Sequence, residues 1–395
     1  MPYAEGRTYN DADSHIMETK DWLASHADPK VRDRLAPLDL TSAGGTATAE
    51  LVDNLPNIIE RRRRDRAAME RAEANILERK SWHALGGFDP LERKRALDLL
   101  GYHRQLVFAG SSLTQFWGNT SGQKFFDPEI LYGGARAMNR AITEFCAHDR
   151  RLLAVGFVPL DVPELAEHEI AAAIEMGCAA IWVPAAPPPS LSPTHPLLDR
   201  VWARLQDADV PFMLHLGGAP LYMRDAFRKN GRPVQIGPLG GTEEIRAKEY
   251  MTSHYGCEAF LSAMVLDGVL ERFPRLRGGC VEQGALWVVP WLKKLDIAQA
   301  AYVRFEPALD LPLKPSEYVR RQLKFTPFPP EPIGWLIEQA GAELFMFASD
   351  FPHPEGGRDP IRRFTRSLDE YGVSEHARDM FFARNCVELV GARAL

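Results

Sequence analysis

No run of roughly 18 apolar residues interrupts the 395-residue chain, and its opening, MPYAEGRTYNDADSH, lacks a basic stretch followed by an apolar one. Neither a membrane span nor an export signal is expected, and the expectation is a cytoplasmic protein. Excess positive charge is also missing. Lys and Arg number 47 against 53 Asp and Glu, a formal net charge of −6, so there is no broad attraction for phosphate backbones or anionic lipids. Nucleic-acid and membrane partners are therefore not expected. The five cysteines, at 146, 178, 257, 280 and 386, are odd in number and form no CxxC pair, which leaves neither a disulfide framework nor a thiolate zinc site. There is no GxxxxGK[ST], no GxGxxG after a strand and no GxSxG elbow, hence no motif-based case for a nucleotide or an activated serine. What the chain does have is 45% apolar and 25% charged residues, enough to bury a large core.

Short apolar or β-branched runs recur between longer amphipathic stretches, as parallel βα units require. Eight candidate strands are readable, at 9–15, 105–109, 152–159, 179–183, 211–216, 278–282, 322–325 and 344–349. Helices are expected over 161–176, 196–208, 258–272 and 332–340. Eight alternating units close a (β/α)8 barrel, an α/β fold in one domain over 1–395. Residues 16–104 exceed one crossover and read as a mainly helical insertion between the first two strands, with a helical stretch around 49–80. Within it, Arg61 to Arg64 are interspersed with Glu60, Asp65 and Glu70, the pattern of a solvated helix face. Residues 184–193 (PAAPPPSLSP) cannot be helix or central strand and form a loop after the fourth strand, where barrel loops wall the active site.

Alternation along the first strand puts Asp13 and His15 on one face, two residues apart, within reach of one ion. A carboxylate and an imidazole are ordinary ligands for zinc, iron or manganese. The competing reading makes Asp11 or Asp13 a turn cap and His15 a core residue. His215 ends the apolar strand FMLHLGG, and a hydrogen-bonded core histidine is the alternative there. Asp350 ends FMFASDFPHP, where burial without a cation or several donors would be costly. Asp13, His15, His215 and Asp350 all fall at the C-terminal ends of candidate strands one, five and eight, which in a closed barrel share one rim.

At these residues the chain resembles the amidohydrolase superfamily, in the branch of aminocarboxymuconate-semialdehyde decarboxylase and the dihydroxybenzoate decarboxylases. The likeness runs through DADSHIMET, WHALGGFDPLERKRALDLLGYHRQLVF, RFPRLRGGCVEQGALWVVPWLKKLD and LFMFASDFPHPEGG. It implies that Asp13 and His15 stand for the His-x-His or Glu-x-His pair, His215 for the fifth-strand ligand, and Asp350 for the aspartate that binds metal and takes a proton from activated water. The departure is Glu282, in Val281-Glu282-Gln283-Gly284, where the decarboxylases carry a catalytic histidine. A carboxylate cannot reproduce a histidine's donor and acceptor pair, which puts decarboxylation by the usual scheme in doubt.

His254 precedes the helix into the sixth strand and has no partner by spacing. With Glu282 it would complete a second metal position, so that Asp13, His15, His215, His254, Glu282 and Asp350 offer six ligands, with Asp350, Glu282 and His254 available for catalysis. Glu18 and His353 are further candidates. His26, His103, His148, His168 and His376 read as solvated or structural, and Trp291 as core at helical spacing from Trp287 and Leu295. The expected function is metal-activated water acting on a small organic substrate, as a hydrolase or carbon–carbon lyase. The expected cofactor is one or two divalent ions, zinc first, then iron or manganese. The alternatives are a non-haem di-iron or mixed iron/manganese oxygenase on the same fold, or a non-catalytic partner subunit. A homo-oligomer is compatible with all three.

Overall fold

Among the described residues seven strands pair in parallel and in chain order: β1 (Asn10–His15), β2 (Arg104–Phe108), β3 (Leu152–Phe157), β4 (Ala180–Trp182), β5 (Phe212–Leu214), β6 (Gly278–Cys280) and β7 (Leu323–Phe325). The computed structural model describes residues 2–394 other than 39, 41–45, 118–126, 187, 189, 190, 219–222, 224, 228 and 232–246. The strands are near-continuous apolar runs such as LLAVGF, AIW and FML, buried on both faces as parallel strands under helices must be. Helices Pro128–Cys146, Pro163–Met176, Asp199–Asp207 and Tyr255–Leu266 make successive crossovers, and a sheet built only of neighbouring crossovers of one hand carries its helices on one side and curls. In register, His15 pairs with Phe108, Phe157 with Trp182, Leu214 with Cys280 and Cys280 with Phe325. The residues that follow these rows therefore emerge at one rim.

The eighth candidate strand, 344–349, forms no ladder, which corrects the expectation of eight regular strands. Residues Ala342–Leu344 make a 3₁₀ turn, and Phe345 alone bridges to Phe325. Beyond it the Phe347 N–H donates to the Phe381 carbonyl instead of a strand neighbour. The segment still spans the gap between β7 and β1: Met346 N–H donates to Phe325 O (2.8 Å), Ala12 N–H to Phe347 O (3.0 Å), Asp350 N–H to Asp13 O (2.9 Å) and His15 N–H to Phe351 O (2.7 Å). A register irregularity between Asp11 and Ser14 in β1 accompanies this partial pairing.

Other elements also differ from expectation. The helical stretch around 49–80 is three helices, Thr46–Asp53, Leu55–Arg64 and Arg66–Ala74, the last capped by Asp65 accepting from Ala67 N–H. The helix expected over 258–272 is divided at Gly268, whose φ of 71° is left-handed, into Tyr255–Leu266 and Val269–Arg272. Arg62 is not part of a solvated face. It is buried and donates to Glu92 (2.8 Å) and to the His83 carbonyl, while Arg61, Arg63 and Arg64 are exposed. Most of the core is one cluster through the sheet and its helices, but Met17, Leu38, Leu40, Val52, Leu55 and Trp82 form a second, smaller one. No helix among the described residues is long and apolar enough to cross a membrane.

Candidate metal centre

At the rim, β1 delivers Asp13 and His15, the end of β5 delivers His215, the turn after β6 delivers Glu282, and the segment joining β7 to β1 delivers Asp350. His15 Nε2 lies 3.4 Å from both Asp13 Oδ1 and Asp350 Oδ1, and His215 Nε2 lies 3.4 Å from Asp13 Oδ1 and 3.2 Å from Glu282 Oε2. One ligating atom each from Asp13, His15, His215 and Glu282 falls within 4.8 Å of the others, and a second group, His15, Asp350 and His353, shares His15 with the first. All are buried. The grouping differs from the sequence expectation in one respect: it is Glu282 that joins Asp13, His15 and His215, while Asp350 stands one step aside with His353.

Two of these side chains are aimed by unusual backbone. Glu282 (φ 54°) and Asp350 (φ 53°) both occupy the left-handed region, a cost of roughly 1–3 kcal/mol each that persists only where the surroundings impose it. Glu282 N–H donates to Thr326 Oγ1 at the end of β7, and Asp350 N–H to the Asp13 carbonyl, so neighbouring strand ends fix both turns. Asp11, on the far side of the irregularity in β1, accepts from Ser349 N–H (2.7 Å), Ser349 Oγ (2.5 Å) and Gln105 Nε2 (2.7 Å), which fixes the residue before Asp350.

Burial acts on every charge here. It would raise Asp13, but the His215 and His15 imidazoles outweigh it and hold the carboxyl well below the usual carboxylate range. Burial, then His353, pushes the His15 imidazole down to about 3, so it is a neutral ligand at any ordinary pH. Burial raises Asp350, with His353 offsetting only part, which makes it the more basic carboxylate of the two. Asp13 Oδ1, His15 Nε2, His215 Nε2 and both Asp350 oxygens are buried without hydrogen-bond partners. Unmatched imidazole nitrogens and carboxylate oxygens facing one point are costly alone and fit a divalent cation.

The amidohydrolase family profile matches residues 12–392, nearly the whole chain. The chain belongs to the amidohydrolase family. Among solved structures, it resembles an amidohydrolase from Mycobacterium avium subsp. paratuberculosis K-10 at TM-score 0.71 and 20% identity, covering 98% of this chain and 100% of that one. It resembles the 5-carboxyvanillate decarboxylase of Sphingomonas paucimobilis at TM-score 0.61 and 18% identity, covering 98% and 99%. A dihydroxybenzoic acid decarboxylase from Polaromonas sp. JS666, solved with bound manganese and the inhibitor 2-nitroresorcinol, matches at TM-score 0.59 and 16% identity over 99% of each chain. No curated protein matches the sequence.

The remaining candidates lie apart from the cluster. His254 is in neither ligand group. Its ring stacks on Trp287 (5.5 Å, 10°) and its Nε2 is 3.6 Å from Glu258 Oε2, one helical turn on, a spacing partner that the sequence reading overlooked. Among the described residues, no ligand group brings it together with Glu282. Glu18 is buried and its Oε1 accepts from Gly110 and Ser112 N–H, so it ties the loop after β1 to the loop after β2. Trp291 is core and donates to Ser262 Oγ. His103, His148, His168 and His376 are exposed, and His26 contacts the Trp22 carbonyl and Glu144. The loop at 184–193 falls partly outside the described residues. Sequence reasoning missed Arg93, which is buried in the charged run LERKRALDLL, where it donates to Ser14 Oγ and Gly86 O and lies over Phe351.

Proposed function

We propose that the chain is a metal-dependent enzyme acting on a small organic substrate with water, a hydrolase first and a carbon–carbon lyase second. Its scaffold, in this reading, is a (β/α)8 barrel whose residues 16–104 are a helical insertion with its own small core. The observation that carries the proposal is the convergence at the strand ends of buried His15 and His215 nitrogens and Asp13 and Asp350 oxygens that lack hydrogen-bond partners. Asp13, His15, His215 and Glu282 would hold the ion, with Asp350, whose Oδ1 is 3.4 Å from His15 Nε2, as a further ligand. A divalent cation there supplies a Lewis acid that lowers the pKa of coordinated water toward about 7. Asp350, raised by burial, takes the proton from water or substrate, and its left-handed backbone keeps the carboxylate turned inward. His15 and Asp13 hold neutral and anionic forms respectively, so neither competes for that proton.

Carboxylates and imidazoles without thiolate suit manganese or iron as well as zinc, and the manganese in the Polaromonas neighbour favours manganese first. Hydrolysis ranks ahead of decarboxylation because Glu282, not a histidine, stands beside His215. The lyase reading keeps its place because similar folds include 5-carboxyvanillate and dihydroxybenzoate decarboxylases. The test is a paired assay of manganese-loaded protein, following CO₂ release from hydroxybenzoates and ring or ester opening of small lactones and esters. Glu282→Gln is expected to depress hydrolysis at least tenfold. If CO₂ release is the main activity, or if Glu282→Gln alters neither metal content nor rate, hydrolysis loses its precedence.

A further inference from the structure

His353 follows Asp350 by three residues and is 7% exposed. Its Nδ1 stands 3.1 Å from Asp350 Oδ1, and its ring lies flat on His15, 3.9 Å between centroids at 17°. Its own N–H donates to the Asp350 carbonyl at 2.6 Å, so backbone and side chain both grip the same residue. Two roles compete for such a ring: a ligand beside His15 and Asp350, or a partner of Asp350 alone. The stacking decides between them. An imidazole ligates through a lone pair in its ring plane, and two nearly parallel rings with centroids 3.9 Å apart hold those lone pairs in separate, nearly parallel planes. They cannot meet at an ion about 2.0–2.2 Å from each nitrogen unless one ring tilts. His215, by contrast, is inclined 70° to His15, with centroids 5.0 Å apart, a geometry in which two ring planes do intersect.

An ionised Asp350 only accepts hydrogen bonds, so the His353 nitrogen facing it is the one that carries a proton. We infer that His353 is a positioning residue: its Nδ1–H holds the Asp350 carboxylate in place while its ring buttresses His15, and it does not ligate the ion. This rests on the metal reading above and adds to it a residue that acts on the ion only through Asp350. At 3.1 Å the contact is at hydrogen-bond distance, and the bond forms when the ring N–H and the carboxylate oxygen come into line.

Three substitutions separate the donor from the packing. His353→Phe keeps a flat ring against His15 and removes the donor, His353→Asn keeps an N–H near the Nδ1 position and removes the ring, and His353→Ala removes both. Affinity for Mn²⁺ is measured by titration of the metal-stripped full-length chain, with thermal melts of the stripped variants to confirm folding. His353→Phe and His353→Ala are expected to weaken binding about 10–100-fold, as loss of a ligand's hydrogen-bond partner typically does, and His353→Asn is expected to recover most of it. In an Asp350→Ala background, His353→Phe should have no further effect, because the partner it acts through is gone. Full affinity in His353→Phe overturns the inference and makes the role one of packing, and a loss in His353→Asn equal to that in His353→Phe overturns it because the restored N–H has no effect. A loss that persists in the Asp350→Ala background makes His353 a ligand. Should the unmodified chain bind no Mn²⁺, the metal reading fails by itself. His353 is then judged by ¹⁵N imidazole spectra, where an Nδ1-protonated ring supports the pair with Asp350 and an Nε2-protonated one overturns it.

Discussion

His15 is the side chain whose environment makes the sharpest demand on pH. Burial and His353 push it down to about 3, so between its unfolded value near 6.5 and that limit the unfolded chain binds the extra proton. The stability it contributes is present above about pH 6.5 and is lost as pH falls toward 3, by no more than about 1.4 kcal/mol per pH unit. Denaturant unfolding of EDTA-treated protein at pH 7, 6 and 5 should give falling stability, and His15→Gln should flatten part of that slope; equal slopes would mean His15 is not held neutral. Asp350→Asn is expected to abolish turnover while retaining more metal than His215→Ala, because an amide oxygen still ligates weakly but cannot take a proton. The fold should tolerate it, since Asn accepts the left-handed backbone at φ 53°. Equal metal loss in both variants would remove the proton-acceptor role. His215, Glu282 and Asp350 could be grouped from the sequence because each follows a short apolar run, and Asp13 and His15 because they alternate along β1. His353 was legible only as a further candidate, since no linear pattern tells that a ring three residues past Asp350 stacks on His15 from the far end of the chain.

The rigid elements place those side chains, and the irregular ones were the hardest to read. β1 to β7 lie within two or three residues of their expected bounds because apolar, β-branched runs between turns are a local signal. The eighth segment was misread as a strand because its composition, LFMFAS, is that of one; what prevents a ladder is tertiary, the diversion of Phe347 N–H to Phe381. The same holds for Arg62, whose burial depends on Glu92 thirty residues away and cannot be seen in ERRRRDR. The loop behind Asp350 folds back so tightly that a Cβ at Gly356 would fall 1.8 Å from the Ser349 carbonyl and 3.1 Å from Asp350 Cβ. Gly356→Ala must therefore move backbone beside Asp350. It is expected to destabilise the protein by about 1–3 kcal/mol and to weaken metal binding, measured by unfolding and by Mn²⁺ titration. An unchanged affinity would detach this loop from the centre.

Across the whole molecule, a sheet paired in chain order gathers side chains from residue 13 to residue 350 at one end, so the centre exists only in the folded chain. Binding there is linked to folding: at 1,000-fold excess over its Kd a ligand bound only by the native state adds about 4 kcal/mol. Loading with Mn²⁺ should raise the melting temperature by several degrees, and EDTA should reverse it. The measurement that bears most directly on the account is the metal stoichiometry of the chain, by elemental analysis after purification without added metal and by titration of the stripped protein. The account predicts close to one divalent cation per chain in the wild type, with binding severely weakened in His215→Ala. A wild-type chain that neither retains nor takes up a divalent cation, or one whose binding is unchanged by His215→Ala, would contradict it.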